Sequence, residues 1–162
     1  MAETLDVSSM ISPQFEPKRK NRWLLAIEGV DAFLCLKAAR PQMTTETIEV
    51  PWMNATRYVA GKQKFGTTAV TLHDAIAPSG AQQVMEWLRL QYESVSGRAG
   101  YADFYKRDIQ LKLTDPVGTV IELWDGKGAI VADANYGDLD YSSADLQTIE
   151  MVIQCDNWVL QY

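Results

Sequence analysis

The chain has 162 residues, 47% hydrophobic and 22% charged, a composition that buries a core without metals or disulfide staples. Its formal charge of −6 argues against a nucleic-acid-binding module, which works by neutralising phosphates. No run approaches the roughly 20 apolar residues of a membrane span, and the acidic start Met1-Ala2-Glu3-Thr4-Leu5-Asp6 lacks the basic and apolar blocks of a signal peptide. A membrane-free protein that stays in the cytoplasm where it is made is expected.

Residues 1–17, with Ser8, Ser9, Ser12, Pro13 and Pro17, carry no sustained periodicity and read as an arm without a core of its own; residues 18–162 read as one domain. The cluster Lys18-Arg19-Lys20 with Arg22 reads as a solvated edge or a partner contact, ahead of a phosphate site. Two short apolar runs, Trp23 to Glu28 and Ala32 to Ala38, flank Gly29-Val30-Asp31 and predict a tight hairpin of buried strands. Cys35 and Cys155 sit in apolar strand-like segments, as small reduced hydrophobes do.

Thr45, Thr47 and Glu49 then alternate with Glu46, Ile48 and Val50, a strand expected to end at Pro51 because proline donates nothing to a ladder. From Pro51 to Lys64 a long polar-tipped loop is predicted. In Phe65 to Asp74, Thr67, Ala69, Thr71 and His73 alternate with Thr68, Val70, Leu72 and Asp74. Ser79-Gly80-Ala81-Gln82 has capping-box spacing and opens a helix whose apolar stripe is Ala81, Val84, Met85, Leu88, Tyr92 and Val95, with Gly97 as the stop. Ile109, Leu111 and Leu113 alternate with polar residues before the turn Asp115-Pro116-Val117-Gly118 and a returning strand from Thr119 to Trp124. The last strand sets Ile149, Met151, Ile153 and Cys155 against Thr148, Glu150, Val152, Gln154 and Asp156. The expected class is mainly β, an antiparallel sandwich or partial barrel with one flanking helix.

Catalytic groupings are thin. His73 is the one histidine, too few for a multi-histidine metal site. Asp133, Asp138, Asp140 and Asp145 miss the spacing of an EF-hand loop and read as a solvated acidic loop. Glu46/Glu49 and Glu122/Asp125 have no companion nucleophile or base and read as surface carboxylates. No cofactor and no enzymatic activity are expected. What stands out is three polar, Thr-rich strand faces opposite apolar ones, with Trp52, Tyr58, Phe65, Trp158 and Tyr162 in loops and ends. A sandwich can turn such faces to bulk water, and a ring can turn them to a central hole.

Over roughly residues 20–160 the chain resembles the tail tube proteins of contractile-tailed bacteriophages. The resemblance rests on Glu49 to Asp74, above all Met53-Asn54 and Val59-Ala60-Gly61, and on the helix around Trp87. Lys106-Arg107-Asp108 and the end from Gly137-Asp138-Leu139-Asp140-Tyr141 to Asp156-Asn157-Trp158 carry the rest. It implies a virion structural subunit, assembled in the host cytoplasm, that forms stacked hexameric rings whose inner sheets close a β-barrel tube. The implied partners are sister copies, the sheath protein, baseplate and terminator proteins, and, in the lumen without specific binding, the tape measure protein and DNA. By the same resemblance the segment from Pro51 to Lys64 stacks rings, with Pro51, Trp52, Met53, Asn54, Arg57, Tyr58, Lys62 and Lys64 as contacts, and both termini act as inter-subunit arms. The small hydroxyl and acidic residues Thr45, Thr47, Glu49, Thr67, Thr71, Glu150 and Gln154 are then expected to face the lumen. A tube subunit of a secretion system or phage-tail-like bacteriocin is the near alternative, and a small-ligand-binding β-barrel the distant one.

Overall fold

A computed structural model describes residues 14–162; most of the expected arm, residues 1–13, lies outside the described residues. In chain order the elements are β1 (Trp23–Ile27), a 3-10 turn (Ala32–Leu34), β2 (Cys35–Ala38), β3 (Met43–Trp52), β4 (Ala55–Phe65), β5 (Thr68–His73), α1 (Gly80–Gln91), β6 (Tyr92–Glu93), β7 (Arg98–Ala99), α2 (Ala102–Tyr105), β8 (Arg107–Thr114), β9 (Val120–Asn135), β10 (Thr148–Gln154) and β11 (Asn157–Leu160). The main sheet runs β1-β8-β9-β10-β5-β2, with β11 also on β9, and every pairing is antiparallel. Leu25 and Ile27 of β1, Ile109 and Leu111 of β8, Val70 and Leu72 of β5 and Ile149, Met151 and Ile153 of β10 share one buried cluster, so the two halves of the sheet face each other across it.

β9 makes this possible. Its first part pairs with β8 and β11 and its last part with β10, so one strand serves both halves. The crossing point holds two glycines for separate reasons. At Gly126 a side chain would strike the Trp158 ring, with a Cβ only 2.9 Å from it, and Gly128 adopts φ +64, a left-handed conformation that L residues seldom take. Trp158 is thereby buried to 3% exposure, and neither it nor β4 residues Tyr58 and Phe65 lie in loops, as the sequence reading had placed them.

The predicted hairpin between residues 23 and 38 does not form. β1 pairs with β8 and β2 with β5, at opposite ends of the sheet path, joined through the 3-10 turn. Both runs are apolar, and an apolar run does not specify its partner strand. The hairpin around Asp115–Gly118 does form, with the Asp115 carboxylate accepting the Val117 and Thr119 N–H groups at 2.9 and 2.7 Å. The alternations of β5 and β10 appear as read, with Val70, Leu72, Ile149, Met151 and Ile153 inward.

Helix α1 starts where its cap residue places it, the Ser79 hydroxyl accepting the Gln82 N–H and the Asp74 carboxylate accepting the Ala81 N–H. Its buried side is Val84 and Trp87. It stops at Gln91, earlier than the stripe predicted: the backbone becomes extended at Tyr92, and Tyr92 and Val95 are exposed. With its amide oriented to match, the Gln91 side chain donates to the Val131 carbonyl at 3.2 Å and accepts the Val131 N–H at 3.0 Å, covering a stretch of β9 that β8 leaves unpaired. Both cysteines are free. Burial pushes the Cys35 thiol up to about 11, and burial with the nearby Asp156 and Asp108 charges pushes Cys155 up to about 12, so both stay neutral thiols near pH 7.

Candidate assembly surfaces

The region expected to be a long loop is a β-ribbon. β3 continues through Pro51 to Trp52, the turn is Met53–Asn54 with Met53 at φ 48, and β4 holds Arg57, Tyr58, Lys62 and Lys64. In a two-stranded ribbon each residue's N–H points either at the partner or away from it, and proline is tolerated at the positions that point away. β3 and β4 pair only with each other. All of β3 is exposed, and in β4 only Gly61 and Phe65 are half-buried.

Directly opposed residues share a face. Ile48 opposite Val59, Val50 opposite Arg57 and Trp52 opposite Ala55 make one face; Thr47 opposite Ala60, Glu49 opposite Tyr58 and Pro51 opposite Thr56 make the other. Apart from Arg57 the first face is apolar and open to solvent, with Ile48 54%, Val59 53% and Trp52 68% exposed, and Met53 at the tip is 96% exposed. The tip joins this bare Met53 to the exposed, polar Asn54, so it carries both apolar and polar groups. At the root, Lys64 is ion-paired with Glu46 across the strands, and the register shifts between Thr45 and Thr47. An isolated two-stranded hairpin is marginal in water, and this one carries its apolar face uncovered.

Of the residues expected to face a lumen, four lie on one face of the main sheet. Thr71 and Glu150 are cross-strand partners, in a row that runs Lys37, Thr71, Glu150, Asn135. Thr67 and Gln154 continue the same face at the end of β5 and β10, where the Gln154 amide donates to the Phe65 carbonyl at 2.9 Å and to the Cys155 carbonyl at 3.1 Å. Thr45, Thr47 and Glu49 sit apart from these on the ribbon.

Two carboxylates were misread: Asp125 is half-buried, with one carboxylate oxygen out of reach of solvent, and Glu122 lies deeper. Glu122 is not a surface carboxylate; it is 4% exposed. Lys18 and Arg40 both ion-pair with it and the Trp124 indole N–H donates to it, so β9 fastens the chain entering β1 and the segment leading into the ribbon. Desolvation pushes the Glu122 carboxyl up, but the hydrogen bonds from Lys18, Trp124 and Arg40 outweigh it and hold the pKa down at about 2, against 4.5 ordinarily. A depressed carboxylate adds stability that is complete above pH 4.5 and is lost as pH falls through about 2. Melting temperatures of the native chain and Glu122→Gln, compared from pH 6 to pH 2, are expected to differ most at pH 6 and to converge in that acid window. The sequence held a weak signal, since Glu122 shares its strand parity with Val120 and Trp124.

His73 is half-buried on β5 opposite Thr148. Among the described residues no group of three or more His, Cys, Asp or Glu side chains is placed to hold a metal ion.

No family model and no curated protein matches the chain. Solved structures do. A sheath/tube terminator of an extracellular contractile injection system (PVC) superposes with TM-score 0.75 at 16% identity, covering 92% of this chain and 99% of that one. A chain of the PVC sheath–tube complex gives 0.71 at 15% identity, covering 98% and 99%. The SPP1 tail tube gives 0.53 at 11% identity, covering 89% and 78%. The chain has the tail-tube fold. Within the tail-tube fold the mainly antiparallel sheet and single main helix expected from the sequence are present, and the described chain on its own does not close a barrel.

Proposed function

We propose that this chain is a structural, non-catalytic tube-type subunit of a contractile-tail particle, joining copies of itself into hexameric rings that stack around a hollow lumen. The observation that carries the reading is the β3–β4 ribbon: a paired strand unit with an uncovered apolar face has a cost in water that neighbouring subunits remove by packing on it. The ribbon contacts rings above or beside its own, and sheath, baseplate and terminator proteins are the neighbours of the finished tube. A small-ligand barrel is disfavoured, because the space between the two halves of the sheet is filled by packed apolar side chains.

The polar row through Thr71 and Glu150, with Thr67 and Gln154 beyond it, faces the lumen in this reading, and Thr47 and Glu49 join it through the ribbon. Small hydroxyls and carboxylates there let DNA slide without binding. In assembled particles, Thr47→Lys, Thr71→Lys and Glu150→Lys together are expected to leave tube assembly intact and to slow or block DNA ejection. Ejection at the native rate removes the lumen assignment.

A second reading, favoured by the likeness to a terminator, is a subunit that ends a tube instead of repeating along it. Electron microscopy of the purified chain separates the two: stacked tubes of many rings support the repeating subunit, and single rings that never stack support the terminator.

A further inference from the structure

We infer that a cationic groove between β1 and β2 of one copy receives the acidic loop of residues 137–147 of the next, a head-to-tail contact between sister copies. β1 and β2 are the two ends of the sheet path. Among the described residues a cavity of about 440 Å³ is lined by Trp23 of β1, Leu36 of β2 and Leu111 and Leu113 of β8. Leu36 is 49% exposed, so apolar surface is open to a partner there. Arg19, Lys20 and Lys37 border the same cavity, and their side chains have no carboxylate partner among the described residues, whereas Lys18 and Arg40 are taken by Glu122. In a chain of net charge −6, cations gathered around apolar side chains select a partner that is both acidic and apolar.

The chain carries such a segment on its own surface. Residues 137–147, between β9 and β10, hold Asp138, Asp140 and Asp145 and no Lys or Arg. Leu139 is 90% exposed, Leu146 79%, and Tyr141 fully, so three apolar side chains of this loop serve no core. The loop still has a built shape. Across its neck the Gln147 amide donates to the Tyr136 carbonyl at 2.6 Å, and the Asp140 carboxylate accepts the Ser142 N–H at 2.9 Å and the Ser142 hydroxyl at 2.8 Å. A loop already shaped costs less ordering when it docks.

No residue of this loop lines the groove of its own chain. Groove and loop are different surfaces, so each copy offers one of each, and a contact of this kind repeats head to tail and closes into a ring where the rotation allows. The inference rests on the tube reading for its sister copies, but it uses no residue of the β3–β4 ribbon and adds a second contact to the one made there.

The test follows assembly of the full-length chain by sedimentation as its concentration rises. Arg19→Glu with Lys20→Glu, and separately Asp138→Lys with Asp145→Lys, is expected to raise the concentration needed for assembly at least about tenfold. The melting temperature of the dilute chain is expected to change little, since all four side chains are exposed. An equimolar mixture of the two variants is expected to assemble near the native concentration, because each groove then meets a loop of opposite sign. Variants that assemble as the native chain does, or a mixture no better than either variant alone, overturn the inference and leave the ribbon contact standing. A loss confined to the groove variant overturns it as well, since the groove then takes another partner. A native chain that never assembles overturns this contact and the tube reading together.

Discussion

A chain carrying Ile48→Asp and Val59→Asp is expected to remain a folded monomer that no longer forms rings or tubes. The two residues face each other across the ribbon and are each about half exposed, at 54% and 53%, so in the lone chain they contribute little to the core and their loss leaves the fold intact. In the proposed assembly they are covered by a neighbour. Covering an Ile or Val side chain contributes about 1.5–3 kcal/mol, so half-exposed residues lose about half of that each, and two buried carboxylates add a larger penalty. A total of about 3–5 kcal/mol raises the concentration needed for assembly by about two to three orders of magnitude. Sedimentation of native and variant chains across that range checks it, with Ile121→Asp, exposed on β9 away from the ribbon, as the control that still assembles. A double variant that assembles normally shows that this face is not the contact.

Trp87→Ala is expected to be the most destabilising single substitution in the helix, costing about 3–5 kcal/mol. The indole is fully buried and ties three elements together. Its N–H donates to the Tyr105 carbonyl at 2.7 Å, at the end of α2, and the Arg107 guanidinium lies over the ring at 4.8 Å, at the start of β8. Alanine removes the packing, leaves that carbonyl without its donor and strips Arg107 of its aromatic seat. Trp87→Phe keeps a ring for packing and for Arg107 but not the donor, so its cost is expected to be smaller, about 1–3 kcal/mol for the unpaired carbonyl. Chemical denaturation of the two variants separates packing from hydrogen bonding. Equal costs for both show that the indole N–H dominates.

Local pattern carried much of this fold into view, and long-range pairing did not. Strict alternation in β5 and β10 gave both strands and their inward faces, because a half-buried strand writes its geometry into every second residue. Asp115-Pro116-Val117-Gly118 marked a turn with its own side-chain hydrogen bonds, and Ser79 marked a helix start. Residues 23–38 misled because two adjacent apolar strands read as a hairpin whether they pair with each other or, as here, with β8 and β5. Trp87 was absent from the expected stripe although it is the helix's deepest contact; the stripe was carried instead to Tyr92 and Val95, past the point where the backbone unwinds. β3 was read as a strand up to Pro51, but β4 was read as a loop, since Arg57, Lys62, Gln63 and Lys64 leave Ala55–Phe65 without a sustained apolar alternation. Glu122 was read as a surface group because its partners, Lys18 and Arg40, lie far from it in the chain.

The most direct test is hydrogen exchange across Met43–Phe65 on the purified chain as its concentration rises, with electron microscopy of the same samples. Assembly through the ribbon predicts fast exchange in dilute monomer and slow exchange at the concentration where rings or hollow tubes appear. A chain that stays monomeric at every concentration, or rings whose β3–β4 amides still exchange freely, contradicts the account.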